Sequence, residues 1–173
     1  GEERLTNVYE VILREDTVMV APYAFSTAEI VSIRMPDTVK IIGANAFYNC
    51  RLLKRVRMPS ELTTLSEYAF SGCAVLEIIY LPGTIGEVQA YTFQNCRQLR
   101  IVYFGAGIHA IGRSAFSNCT RLAVIYNMDT LVHWNDVLIP NIEEQGNTDL
   151  MKATVAEHLY DGYTNPDFEG TDW

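Results

Sequence analysis

A strict 23-residue period constrains this chain more than any other feature. Cys50, Cys73, Cys96 and Cys119 follow one another at that spacing, each three residues after Phe47, Phe70, Phe93 and Phe116. Ala46, Ala69, Thr92 and Ala115 precede the phenylalanines. Leu53, Leu76, Leu99 and Leu122 follow the cysteines by three. Further rows keep the same register: Val39, Leu62, Ile85, Ile108; Ile42, Leu65, Val88, Ile111; Ile33, Val56, Ile79, Val102, Ile125; and Met35, Met58, Leu81, Phe104. A unit this short cannot bury its own apolar face, so successive units must stack into a solenoid. Residues 11–36 read as a degenerate first unit. Ala24-Phe25 lies 22 residues before Phe47, Ala28 takes the cysteine position, and Pro36 is back in register with Pro59 and Pro82.

Within a unit, Ile79 and Leu81 alternate with Ile78 and Tyr80. That is the period of a strand, stopped by Pro82, which has no amide to donate. Ile85-x-x-Val88 predicts an extended return toward the core. Ala46-Phe47-x-x-Cys50 spaces its apolar residues as a short helical or 3₁₀ turn would. Gly43, Gly86 and Gly112 are read as turn residues. Gly72, Asn49, Asn95 and Asn118 before the cysteines are read in the same way. Each coil thus has a short parallel strand, a bend, an extended side and a turn.

These units resemble the 23-residue leucine-rich repeats of the Treponema pallidum type, also called the Bacteroides surface protein A type. The resemblance rests on Leu53, Val56, Met58-Pro59, Leu62, Leu65, Ala69-Phe70 and Cys73. It is repeated in Leu76, Ile79, Leu81-Pro82, Ile85, Val88, Thr92-Phe93 and Cys96, and it covers roughly residues 17–126. The implied fold class is a repeat solenoid of the α/β leucine-rich-repeat type. It has short parallel β-strands on one face, short helical or 3₁₀ turns elsewhere, and about five coils plus a C-terminal cap. The resemblance also implies a secreted or surface-attached bacterial protein, and it carries no catalytic residues. The pattern departs at Gly105, where the proline is lost, and at Asn127-Met128. Gly1-Glu2-Glu3-Arg4 leads into no apolar leader core, so an extracellular or cell-surface location is expected from the resemblance alone, with a cytoplasmic one as the alternative.

Charge divides the chain. Residues 1–128 hold 12 basic and 11 acidic residues, whereas residues 129–173 hold one basic residue, Lys152, and 10 acidic ones. The formal net charge of −8 argues against nonspecific nucleic-acid or anionic-membrane binding. No apolar run approaches the length of a membrane helix. Two domains are expected: 1–128, the leucine-rich-repeat solenoid with a degenerate N-terminal repeat, and 129–173, an acidic cap segment with one short helix. Leu131, Val132, Trp134, Val137, Leu138 and Ile139 are expected to cover the last coil. A helix capped by Thr148 or Asn147 is expected to put Met151, Val155 and Leu159 on one face and to stop at Asp161-Gly162.

The chemistry-bearing residues point away from catalysis. In-register stacking makes the cysteines a column of buried thiols rather than a metal site or a disulfide set. His109, His133 and His158 form no metal pair, and His109 is expected to be solvated. No phosphate-binding glycine loop or nucleophile elbow is present. No cofactor, no metal and no catalytic residue is expected, and the chain is read as not an enzyme.

The strand face offers the candidate site. Its outward rows are Arg34, Arg57, Tyr80, Tyr103, Tyr126 and Ser32, Arg55, Ile78, Ile101, Val124. One end is basic and the other is a tyrosine row beside an aliphatic one. Three readings stand: the rows only build the sheet, the C-terminal segment folds back over them, or they bind a partner. The functional expectation is a non-catalytic recognition or adhesion module for a protein or glycan at the cell surface, host matrix included. The alternative is a structural spacer in a larger surface protein.

Overall fold

The computed structural model describes residues 9–128, 137 and 146–157. It is a solenoid of about five turns. Among the described residues four parallel sheets line its sides. The main face is built from β1 (Glu10–Ile12), β3 (Ser32–Arg34) and β5 (Arg55–Arg57), then β7 (Ile78–Leu81), β9 (Ile101–Phe104), β11 (Val124–Asn127) and β12 (Thr154–Glu157). The return side carries β2 (Met19–Val20), β4 (Ile41–Ile42) and β6 (Thr64–Leu65), then β8 (Glu87–Val88) and β10 (Ala110–Ile111). Every described pairing is parallel, and all but that of β11 with β12 join equivalent positions of successive coils.

The rows read from sequence are the core. Ile33, Val56, Ile79, Val102 and Ile125 point inward from the main face and are buried, as are Met35, Met58, Leu81 and Phe104. Phe25, Phe47, Phe70, Phe93 and Phe116 form one column, with ring centroids 5.3, 4.9, 5.6 and 5.3 Å apart and near-parallel planes. Thr92, the polar exception in the alanine row, is buried and donates its hydroxyl to the Gln89 carbonyl at 2.7 Å, which offsets its desolvation.

The corner through Ala-Phe-x-x-Cys is a run of overlapping i→i+3 turns rather than a helix. Ala46, Tyr48 and Cys50 donate to the carbonyls of Gly43, Asn45 and Phe47, while the alternate amides of Asn45, Phe47 and Asn49 reach the next coil. Two residues per coil take positive φ: Asn45 and Asn49 in one, Tyr68 and Gly72 in the next, Tyr91 and Asn95 in the third. A left-handed residue at these steps stops a helix from propagating and turns every second amide outward along the stack. The one 3₁₀ helix described is Gly83–Ile85.

Both departures from the repeat add a rung to the ladder. Gly105 and Met128 stand where earlier coils have proline, and their amides donate to Leu81 and Phe104 carbonyls at 2.7 and 2.9 Å. Proline could make neither bond. Gly105 is also fixed by space, since a Cβ there would lie 2.4 Å from the Gly83 nitrogen.

The C-terminal part differs from its expectation. The helix α1 (Thr148–Lys152) ends well short of the expected stop at Asp161-Gly162, and Thr154–Glu157 pairs with β11 as a strand. Leu150, not Met151, is the buried helical residue. A helix of five residues has little stability of its own. The open edge of β11 offers Thr154-Val155 a ladder, which β-branched residues suit. Val137 packs against the core, and the rest of the cap expected over 129–140 lies outside the described residues, as does Leu159.

Asn147 closes the array in a way the sequence did not disclose. Phe93 donates its amide to the Ala115 carbonyl of the following coil, but the last phenylalanine of the column, Phe116, donates to Asn147 Oδ1 at 3.2 Å. Asn147 Nδ2 donates to the Gly112 carbonyl at 3.0 Å. The fully buried side-chain amide thus stands in for the backbone of a further coil. Asn147→Ala leaves both groups unpaired, so a urea melt is expected to show a loss of about 1–3 kcal/mol. An unchanged midpoint would mean that these groups find other partners.

Candidate recognition face

The face assembles in two blocks. Arg34 is in register with Arg57, and Ser32 with Arg55. Ile78, Ile101 and Val124 are in register, as are Tyr80, Tyr103 and Tyr126. Among the described residues no ladder joins β5 to β7, so the basic block and the tyrosine block sit on separate sheets. The row immediately before the strands spans that step. Glu77 accepts from Lys54 and from Arg100, both at 3.2 Å, tying three coils together. The Lys54 and Arg100 contacts, Lys54's hydrogen bond foremost, hold the Glu77 carboxyl below its ordinary pKa.

The tyrosine block is an aromatic stack. Tyr103 and Tyr126 lie 4.8 Å apart at 16°. Tyr80, Ile101, Tyr103, Val124 and Tyr126 are half-buried, and Ile78 is exposed. Burial pushes the Tyr80 phenol pKa up. The row continues past Tyr126 into Ala156 by strand register, an extension that was not anticipated.

The basic block is partly neutralised from within. Arg34 pairs with Glu10 at 3.2 Å. Arg57 donates to the Met35 carbonyl at 2.7 Å and pairs with Asp37 at 3.3 Å. Burial would raise the Asp37 carboxyl, but the Ser60 amide at 2.8 Å and the Arg57 guanidinium outweigh it and hold its pKa low. Outward periodicity places these arginines on the face but cannot reveal that Asp37, two residues beyond Met35, turns back to meet Arg57.

A second aromatic pair escaped the sequence reading because it lies on the turn corner. Tyr68 and Tyr91 stack 4.6 Å apart at 8°. Their 23-residue spacing was the available signal.

The four cysteines are free and buried. Cys50, Cys73, Cys96 and Cys119 donate to the carbonyls of Phe25, Phe47, Phe70 and Phe93 in the preceding coils, at 2.9–3.3 Å. Burial raises the Cys50 thiol to about 11 and Cys119 to about 12, and pushes Cys73 and Cys96 well up. They are inert structural donors, since the thiolate is the reactive form. Thiol titration without reductant is expected to find four groups in the denatured chain and almost none in the native one. Two or none on denaturation would contradict the column. Among the described residues no cluster of metal-ligating side chains occurs, and His109 is exposed. His133 and His158 lie outside them. No described helix is long and apolar enough to cross a membrane.

Comparison with known proteins agrees with this architecture. A leucine rich cell surface protein from Faecalibacterium prausnitzii is 32% identical, with a TM-score of 0.71 over 74% of this chain and 34% of that one. The T. pallidum leucine rich repeat protein is 29% identical, with a TM-score of 0.66 over 69% of this chain and 58% of that one. The pneumococcal vaccine antigen PcpA, 15% identical with a TM-score of 0.67 over 87% of this chain and 42% of that one, shares the fold alone. The match therefore spans about a third and 58% of the first two proteins' lengths. No curated protein sequence matches the chain. The model of the BspA type leucine rich repeat region matches residues 11–138 in six copies. With that much of its length matched, and with its coils stacked as the repeat requires, the chain belongs to the BspA-type leucine-rich-repeat family.

Proposed function

We propose that this chain is a non-catalytic recognition module of a bacterial surface protein, and that it holds a protein or glycan partner across its main sheet face. The observation that carries the reading is the in-register block of Tyr80, Tyr103 and Tyr126 beside Ile78, Ile101 and Val124, with Arg34, Arg55 and Arg57 adjoining it. Stacked aromatics and arginines are the side chains that dominate binding energy at interfaces. They project here from a rigid parallel sheet, so little ordering entropy opposes association. A surface location is supported by the F. prausnitzii relative, which is described as a cell surface protein.

A spacer role is favoured by one observation. Arg34 and Arg57 already hold Glu10, the Met35 carbonyl and Asp37, which is how side chains behave when they only build a sheet. A binding screen of the intact chain against host matrix proteins and glycans, at low and physiological salt, separates the two. Recognition expects at least one partner. Silence across the screen at both salt levels favours the spacer.

A further inference from the structure

The return side breaks its ladder at the same junction as the main face. Among the described residues no ladder joins β5 to β7, and none joins β6 to β8. From this coincidence we infer a hinge where the coil of β5 and β6 meets the coil of β7 and β8. It opens about the turn corner and changes the angle between the basic block and the tyrosine block. The inference deepens the recognition reading, and rests on it only for what the motion serves.

Single amides locate the break. Val31, Lys54, Arg100 and Ala123 donate to the carbonyls of Tyr9, Val31, Glu77 and Arg100 in the coil before. Among the described residues the amide of Glu77, at the equivalent place, has no such acceptor. On the return side Gly43, Ser66 and Gly112 donate back to Val20, Ile42 and Val88, and Gln89 in the same row does not. The cause on that side is local. Lys40, Thr63 and His109 send their amides to Val18, Lys40 and Gly86, whereas Gly86 turns its own to Gly83 at 3.1 Å and closes the 3₁₀ helix Gly83–Ile85. Gly86 stands at φ 65°, a conformation glycine adopts at little cost. An amide bonded within its own coil cannot hold the coil before it.

The turn corner stays joined. Tyr68, Phe70 and Gly72 donate across the junction to Ala90, Thr92 and Gln94 at 3.3, 2.9 and 2.7 Å, and Tyr68 stacks on Tyr91. Away from the corner the junction is bridged by the Thr84 hydroxyl on the Leu62 carbonyl at 2.6 Å and by the exposed Lys54–Glu77 pair at 3.2 Å. Val56, Leu62, Ile79 and Ile85 are buried in the shared core. Exposed ion pairs are weak and apolar burial is non-directional, so both tolerate a change of angle that a ladder resists. Phe70 and Phe93, at 5.6 Å, make the widest step of the phenylalanine column. Each block is held within its own sheet, by β3 with β5 and by β7 with β9 and β11, so the hinge lies between them. A partner touching both blocks must fix the angle, and the hinge lets the face adjust to that partner's shape.

The test is NMR on the free full chain. Hydrogen exchange reads the missing ladder. The Glu77 and Gln89 amides are expected to be at least about tenfold less protected than those of Lys54, Arg100, Ser66 and Gly112. Methyl relaxation dispersion reads the motion. Exchange on the μs–ms timescale of hinge motions is expected at Val56, Leu65, Ile79 and Val88, at least about threefold larger than at Ile33 and Val102. Glu77 and Gln89 amides as protected as their equivalents would mean that the ladder is continuous. Flat dispersion at the junction would mean a static gap. Either result overturns the hinge. No partner enters this experiment, so its failure leaves the recognition reading standing, and a silent binding screen leaves the hinge standing.

Discussion

Replacing Phe70 with alanine is expected to cost about 3–5 kcal/mol, the range for losing a buried core ring. Phe70 is fully buried, with Phe47 stacked on one side at 4.9 Å and Phe93 on the other at 5.6 Å. Its loss opens a cavity at the centre of the column. Coils on either side bury their apolar area only against each other, so neither half can relax without exposing core. A loss of this size approaches the whole stability of a small domain. The hydrogen bond from the Cys96 thiol to the Phe70 backbone carbonyl survives the substitution, so the measured effect isolates the ring. A urea or thermal melt of Phe70→Ala should show one cooperative transition at much reduced stability. A midpoint within a degree or two of the parent would show that the column does not hold the coils together.

The inward half of the structure was legible because it is periodic. One residue type per row, repeated every 23 residues, fixes which side chains stack, and the phenylalanine, thiol and aliphatic columns follow from it. The strands were legible as well, since Ile78-Ile79-Tyr80-Leu81 and its relatives alternate. What escaped depends on contacts between coils. Tyr68 and Asn45 take left-handed backbone because their amides reach into the next coil, a cause no local propensity contains. The missing ladder between β5 and β7 leaves no trace in the outward rows.

Beyond residue 128 there is no repeat to average over. Met151, Val155 and Leu159 follow a helical spacing, yet the edge of β11 recruits Thr154–Glu157 as a strand. A free sheet edge outweighs a weak helical pattern there, because each strand residue added satisfies backbone groups on both sides. Asn147 was invisible for a related reason. Its importance lies in replacing a carbonyl that a missing coil would have supplied. The candidate face was legible in register but not in charge, since Asp37 sits outside the rows that define it and Glu10 joins the Ser32 row only through the pairing of β1 with β3.

The most direct measurement is the effect of Tyr103→Ala on binding, set beside its effect on folding. Tyr103 lies in the middle strand of the tyrosine block, flanked in register by Tyr80 and Tyr126. A central aromatic anchor contributes at least about 2 kcal/mol to an interface, so affinity for a partner found in the screen should fall at least about thirtyfold. The ring points away from the core, and the stack with Tyr126 contributes only about 0.5–1.5 kcal/mol to the fold, so the melt should shift little. Recognition on this face therefore expects a large loss of affinity on a nearly unchanged melt. Undiminished affinity in Tyr103→Ala would show that the partner binds elsewhere and that the rows are sheet packing.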